Sequence, residues 1–310
     1  MSVTTAEIVE VSPRDGLQNE TTVLSTADKR ALIGRAADAG ARRIEATAFV
    51  RPDRVPQMAD ADDLAALLPL DGPVRHTALV LNERGYQRAH DAGFREVNMV
   101  VLATETFSRR NQGVSVADAL RATATVRGRS RDDGVRLTVT VGAAFGCPFE
   151  GEVSPAHLRA VLRAVAELAP DELALADTIG VGAPTDVEER FAAAASIAPG
   201  VPLRAHFHDT RGTGVANAVA ALRSGVTALD ASLAGVGGCP FAPAASGNVA
   251  TEDLAYTLGR MGYDLGLDLP RLLVDARWLA DTLGIEPPSS LSRAGLFPAP
   301  AGDTAGEGRR

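Results

Sequence analysis

Two rhythms of apolar positions alternate along this chain. Short runs rich in Val, Ile, Leu and Ala begin at residues 7 (EIVEVS), 42 (RRIEATAF), 74 (VRHTALV), 96 (EVNMVVLA), 136 (RLTVTVGAA), 171 (DELALADT), 202 (PLRAHFHD) and 228 (ALDASLAG). Their length and β-branched content predict eight strands. Between them lie stretches rich in Ala, Leu and Arg, among them ADKRALIGRAADAG from 27, SPAHLRAVLRAVAELA from 154 and GVANAVAALRSG from 214. These predict helices, several of which end in the Gly of a C-cap, and Ser154 followed by Pro155 makes an N-cap and first-turn pair. Eight strand and helix alternations within about 250 residues predict the α/β class and a (β/α)8 TIM barrel. A doubly wound open sheet is the alternative, but no Gly-rich dinucleotide fingerprint follows the first strand. Two more helical stretches, near 250–262 and 269–284, follow the eighth strand. The expected organisation is one catalytic barrel with C-terminal helices over residues 1–285. A Pro/Gly/Ala-rich tail over 286–310 follows, mobile at its end.

Composition narrows the function. With 310 residues and 45% hydrophobic content the chain can bury a large core. A net charge of −8 argues against nucleic acid or an anionic membrane as partner, since either needs a basic face. The two cysteines, Cys147 and Cys239, stand far apart and each precedes proline, which fits a reducing compartment rather than a disulfide framework. The segment MSVTTAEIVE lacks a signal pattern, and no run of about 18 apolar residues occurs. A cytoplasmic protein is expected.

Candidate chemistry gathers where strands end. In LRAHFHDTRG, His206 and His208 are two residues apart, so a strand would point both imidazoles to one face. That is a metal-ligand geometry, although in a lone His-x-His it is as common for one histidine to cap a buried hydrogen-bond network and the other to lie on the surface. In a barrel, function lies at the C-terminal ends of the strands. There the first strand is followed by SPRDGLQNE with Arg14, Asp15 and Gln18, the second carries Glu45, and the sixth ends in Asp177 and Thr178. The eighth leads into GVGGCPFAPAASGN, with Cys239 and Asn248. Each has an ordinary explanation alone: Asp15-Gly16 as a turn, Glu45 as an ion-pair partner, Asn248 as a cap for the helix near Thr251. Their convergence on one mouth points instead to a site. Asp15, His206, His208 and Asn248 supply one carboxylate, two imidazoles and one amide oxygen. That set suits Mg²⁺ or Mn²⁺, with Zn²⁺ or Co²⁺ as alternatives, and leaves positions for substrate.

The segments VSPRDGLQNE, ADTIGVG, HFHDTRGTGVANAVAAL and GVGGCPFAPAASGNVATEDL resemble, in order, the signature segments of the 3-hydroxy-3-methylglutaryl-CoA lyases, over residues 7 to 294. The resemblance implies a metal-dependent carbon-carbon lyase that cleaves hydroxymethylglutaryl-CoA to acetyl-CoA and acetoacetate, as in leucine breakdown and ketone-body formation. It makes Asp15, His206, His208 and Asn248 the metal ligands, Arg14 a substrate-binding and catalytic residue, and Cys239 the catalytic cysteine of a mobile loop. Glu10, Glu45 and Asp177 match the family's supporting acids, with His206 or Asp15 as base and Gln18 and Thr178 beside the substrate. Cys147 reads as structural or pocket-lining. An acyl-CoA partner and a homodimer are expected.

The chain also departs from the family's better-known members. Thr21 stands for a lysine, Ala48, Gly142 and Ala174 for serines, Ala143 for a cysteine, and Pro243 and Ala244 for a Gln-Gly pair. If the strand-end positions line the acyl pocket, a roomier pocket would accept a larger alkyl group at C3, as in isohexenylglutaryl-CoA lyases. The remaining alternatives are a Claisen-condensing synthase and a barrel that binds metal or CoA without turnover.

Overall fold

The computed structural model describes residues 4–238 and 247–298. Eight parallel strands close into a barrel: β1 (Glu7–Glu10), β2 (Arg43–Ala48), β3 (Arg75–Leu79), β4 (Glu96–Leu102), β5 (Arg136–Gly142), β6 (Glu172–Asp177), β7 (Leu203–Phe207) and β8 (Ala228–Ala231). They pair in sequence order, and β8 closes on β1. All eight expected strands are present, and the TIM barrel is the observed fold.

Alternation along each strand divides its residues between two buried faces. In β2, Ile44 and Ala46 face outward into the apolar layer beneath the helices. Arg43 and Glu45 instead reach across the lumen to Glu172 and Asn98. The outer layer forms because each connecting helix carries an apolar stripe; Leu158, Val161, Leu162 and Val165 of helix Pro155–Glu167 belong to this core. Ser154 caps that helix as its position implies, accepting from the backbone N–H of His157.

The lower lumen is charged. Arg43, wholly buried, donates to both oxygens of Glu172 at 2.8 and 2.6 Å and also pairs with Glu96. Arg204 is 1% exposed and sits beside Glu172 at 3.6 Å and Asp230 at 3.4 Å. Burial pushes the Glu172 carboxyl upward, but Arg204 and Arg43 outweigh it and hold it down to about 2.

After the barrel come helices Thr251–Arg260 and Leu269–Leu283. The short helix Ser290–Ala294 is anchored by Asp253, which accepts from Ser289 Oγ and from the backbone N–H of Ser290 and Leu291. The tail's expected mobile end, residues 299–310, lies outside the described residues. Among the described residues no helix is long and apolar enough to cross a membrane.

Candidate active site

The site begins where β1 ends. Glu10 accepts from Ser12 N–H (2.9 Å), Leu233 N–H (3.0 Å) and Thr251 Oγ1 (2.7 Å), tying together the segments after β1 and β8 and the following helix. The chain then makes one π-helical turn, Ser12–Gly16, a local bulge of the kind often found at functional sites. Arg14 and Asp15 lie in it. Arg14 donates through Nε to Glu45 (2.7 Å), through Nη2 to the same carboxylate, and through Nη1 to Asp15 (2.6 Å), with Gln18 Oε1 at 3.4 Å. The other Glu45 oxygen accepts from Asn98 Nδ2 (2.9 Å), and Asn98 Oδ1 accepts from Thr140 Oγ1 (2.9 Å). A hydrogen-bonded chain thus crosses the lumen from β5 to Arg14 and fixes its guanidinium.

His206 and His208 face the same volume, with ring centroids 5.3 Å apart. Backbone bonds from Asp209 to Gly247 and from Val249 to Phe207 lay residues 247–249 alongside the end of β7, which brings Asn248 opposite His208. Gly237 allows the neighbouring segment to pass. Its φ is +112°, and a Cβ there would lie 2.5 Å from Asn248 Nδ2 and 2.8 Å from Gly16 Cα. Asn248 Nδ2 donates to Asp15 Oδ2 (3.0 Å) and to the Val236 carbonyl (3.2 Å), so its amide does not cap the helix at Thr251.

Asp15, His206 and His208 each offer a ligand atom, all within 4.8 Å of one another. His208 Nδ1 and Asn248 Oδ1 are buried without a hydrogen-bond partner among the described residues. Buried acceptors are rarely left so, and a cation would satisfy them. The charge states agree. Burial would raise the Asp15 carboxyl, but Arg14 and the two histidines hold it well below the usual carboxylate range. Burial and the neighbouring His206 push His208 down to about 4, which keeps a lone pair free. Burial also pushes His206 down, but the Asp230 hydrogen bond and the Asp15 charge outweigh it and leave it above its ordinary value. A cation could take the place of that proton.

Other expected site residues lie in different settings. Asp177 is fully buried and accepts from the backbone N–H of Val181 (3.0 Å) and Gly182 (2.9 Å), so its carboxylate shapes the loop after β6. Burial, only partly offset by those bonds, leaves its pKa raised. Thr178 Oγ1 accepts from Ala143 N–H (2.9 Å), and Gln18 is half-buried beside Arg14. The Cys147 sulfur accepts from Thr104 Oγ1 at 3.0 Å and from the N–H groups of Phe149 and Glu150, a buried turn-stabilising role. Cys239, Pro243 and Ala244 lie outside the described residues. Ala48, Ala143 and Ala174 are fully buried. A Cβ at Gly142 would stand 2.6 Å from Leu102 Cδ2, so Leu102 already fills the space that a serine would take. Two residues escaped the sequence reading, Asn98 and Asp230. Each is a polar residue inside an apolar strand, and that contrast was the available signal.

Comparison with known proteins points to the family that the motifs resemble. The HMGL-like family model matches residues 5–277. A hydroxymethylglutaryl-CoA lyase from Pseudomonas mevalonii is 43% identical, covering 94% of this chain and 95% of its own. An (R)-citramalyl-CoA lyase from Chloroflexus aurantiacus is 42% identical over 93% and 94%. The crystal structure of hydroxymethylglutaryl-CoA lyase from Pseudomonas aeruginosa superposes with a TM-score of 0.89 at 37% identity, over 95% of this chain and 98% of that one. Matched along almost its whole length in sequence and in fold, the chain belongs to the HMGL-like family and is a carbon-carbon lyase.

Proposed function

We propose that this enzyme cleaves 3-hydroxy-3-methylglutaryl-CoA to acetyl-CoA and acetoacetate, with Mg²⁺ or Mn²⁺ held by Asp15, His206, His208 and Asn248. The observation that carries this reading is the meeting of those four side chains with Arg14 at the C-terminal mouth of the barrel. The hydroxymethylglutaryl-CoA lyase relative at 43% identity supports the substrate. A divalent cation bound there would acidify the tertiary hydroxyl and orient a neighbouring oxygen. Of the two candidate bases, Asp15 is left to take the hydroxyl proton, since His206 Nδ1 faces Asp230 and its Nε2 would be on the cation. As the carbon-carbon bond breaks, its electron pair passes to the thioester enolate and the alkoxide carbon becomes the ketone. Arg14, pinned by Glu45 and Asp15, meets the charge that builds on the thioester oxygen. Cys239, by its place in the resembling loop, protonates the enolate carbon.

A second substrate has its own support. The (R)-citramalyl-CoA lyase is 42% identical, and its substrate needs the same bond cleavage with a keto acid one carbon shorter as product. The two readings separate by product. Purified enzyme with Mn²⁺ is given each thioester, and acetoacetate and pyruvate are measured. Acetoacetate release with the higher kcat/KM upholds the first reading and pyruvate the second. Condensation of acetyl-CoA onto 2-oxo acids without either cleavage would overturn both.

A further inference from the structure

Asp230 stands directly across from His206 in the β7–β8 register, on the strand face that looks into the lumen. Its Oδ2 lies 3.1 Å from His206 Nδ1. The other imidazole nitrogen, Nε2, is 3.9 Å from Asp15 Oδ2. The two ring nitrogens of an imidazole point in opposed directions, so the carboxylate on one side decides which lone pair remains on the other. Asp230 is not among the three side chains that converge on the candidate cation position. It lies behind His206.

We propose that Asp230 is the positioning residue of this site: it takes the Nδ1–H of His206, holds the ring plane, and presents Nε2 as the ligand atom. This rests on the reading of Asp15, His206 and His208 as a metal centre. Carboxylates placed behind metal-binding histidines act in this way, fixing the tautomer and raising ligand basicity. Asp230 in turn stands beside a buried cation. Arg204 Nε lies 3.4 Å from its other oxygen, and Arg204 is joined through Glu172 to Arg43. The charged floor of the barrel is thereby continuous with the back of His206. His208 has no equivalent, since its Nδ1 lacks a partner among the described residues. The two histidines of one motif therefore differ: among the described residues one is oriented by a carboxylate, while the other lies just past the strand end, in a backbone bridge with Asn248.

The test compares wild type, Asp230→Asn, and the double variant Asp230→Asn/Arg204→Met, which removes the arginine charge left facing a neutral amide. Long-range ¹H-¹⁵N correlation on metal-free, histidine-labelled protein at alkaline pH reads the tautomer of His206. Mn²⁺ titration followed by electron paramagnetic resonance reads affinity, and thermal unfolding checks the fold. Wild type should show the Nδ1–H tautomer. Both variants should lose that single tautomer and bind Mn²⁺ about 10- to 100-fold more weakly. An Nε2–H tautomer in wild type would overturn the proposal. So would a Kd within about twofold of wild type in Asp230→Asn, or recovery of affinity in the double variant, which would make the effect one of charge balance. A wild type that takes up no Mn²⁺ would fail the metal-centre reading itself, and the metal-free tautomer would still decide what Asp230 does to His206.

Discussion

Arg43 and Arg14 both enter the barrel lumen, one near its floor and the other at its mouth, and they meet different company. Arg43 is wholly buried and bonded to Glu172 and Glu96, with Arg204 completing an alternation of charge. Each charge taken from water there has a counter-charge supplied by the chain. At the mouth, Arg14 is tied to Glu45 and Asp15 but keeps 8% exposure, and around it stand acceptors without donors among the described residues, His208 Nδ1 and Asn248 Oδ1. The floor is electrostatically closed, whereas the mouth keeps acceptors that no described residue satisfies. The difference teaches that burial of charge does not by itself mark a site; an excess of acceptors over donors does.

The largest expected effect should come from the closed end. Arg43→Met leaves Glu172 and Glu96 buried without their main partner and should destabilise folding by about 3 to 5 kcal/mol in urea unfolding. A loss below about 1 kcal/mol would mean that the floor is hydrated rather than closed. Next comes the open end: Arg14→Gln should lower kcat about 10²-fold, because a transition-state contact is lost. A rise in KM with kcat unchanged would reassign Arg14 to ground-state binding. His208→Ala should abolish stoichiometric Mn²⁺ binding while its unfolding midpoint stays much nearer wild type than that of Arg43→Met. Normal metal content in that variant would remove His208 from the ligand set.

The smallest effect concerns a buried carboxylate that belongs to neither end. Glu252 accepts from Ala234 N–H and Ser292 Oγ, linking the start of the loop after β8 to the C-terminal helix. Burial, reinforced by the neighbouring Asp253 charge and only partly offset by hydrogen bonds, pushes its pKa up to about 7. The folded state therefore holds a proton that the unfolded chain releases near 4.5. Its contribution to stability is full below that value and fades as pH rises through about 7. Glu252→Gln should flatten stability against pH across this window. A variant whose pH profile matches wild type would place the titration elsewhere.

The strands were legible because each presents an apolar face to the helices, so the run of Val, Ile, Leu and Ala survives even where the inner face is charged. Arg43 and Arg204 were visible as charges inside such runs, but their partners were not. Glu172 lies 129 residues from Arg43, and only closure of the sheet brings them together. His206 and His208 announced themselves by period, whereas Asp230 did not, since its bond to His206 depends on the β7–β8 register. Asn248 could be read as a cap or as a ligand, and the backbone pairing after β7 turned its amide toward Asp15.

By itself the sequence determined the barrel, the strand ends where chemistry collects and the residue types available there, because periodicity and local turn chemistry act over a few residues. Tertiary structure alone decided which of those groups face one another. It paired Arg14 with Glu45, set Asp230 behind His206, filled the space beside Gly142 with Leu102 and left two acceptors at the mouth unpaired among the described residues. Such pairings are set by strand register and barrel closure, which sum contacts over the whole chain and leave no trace in any short stretch of it.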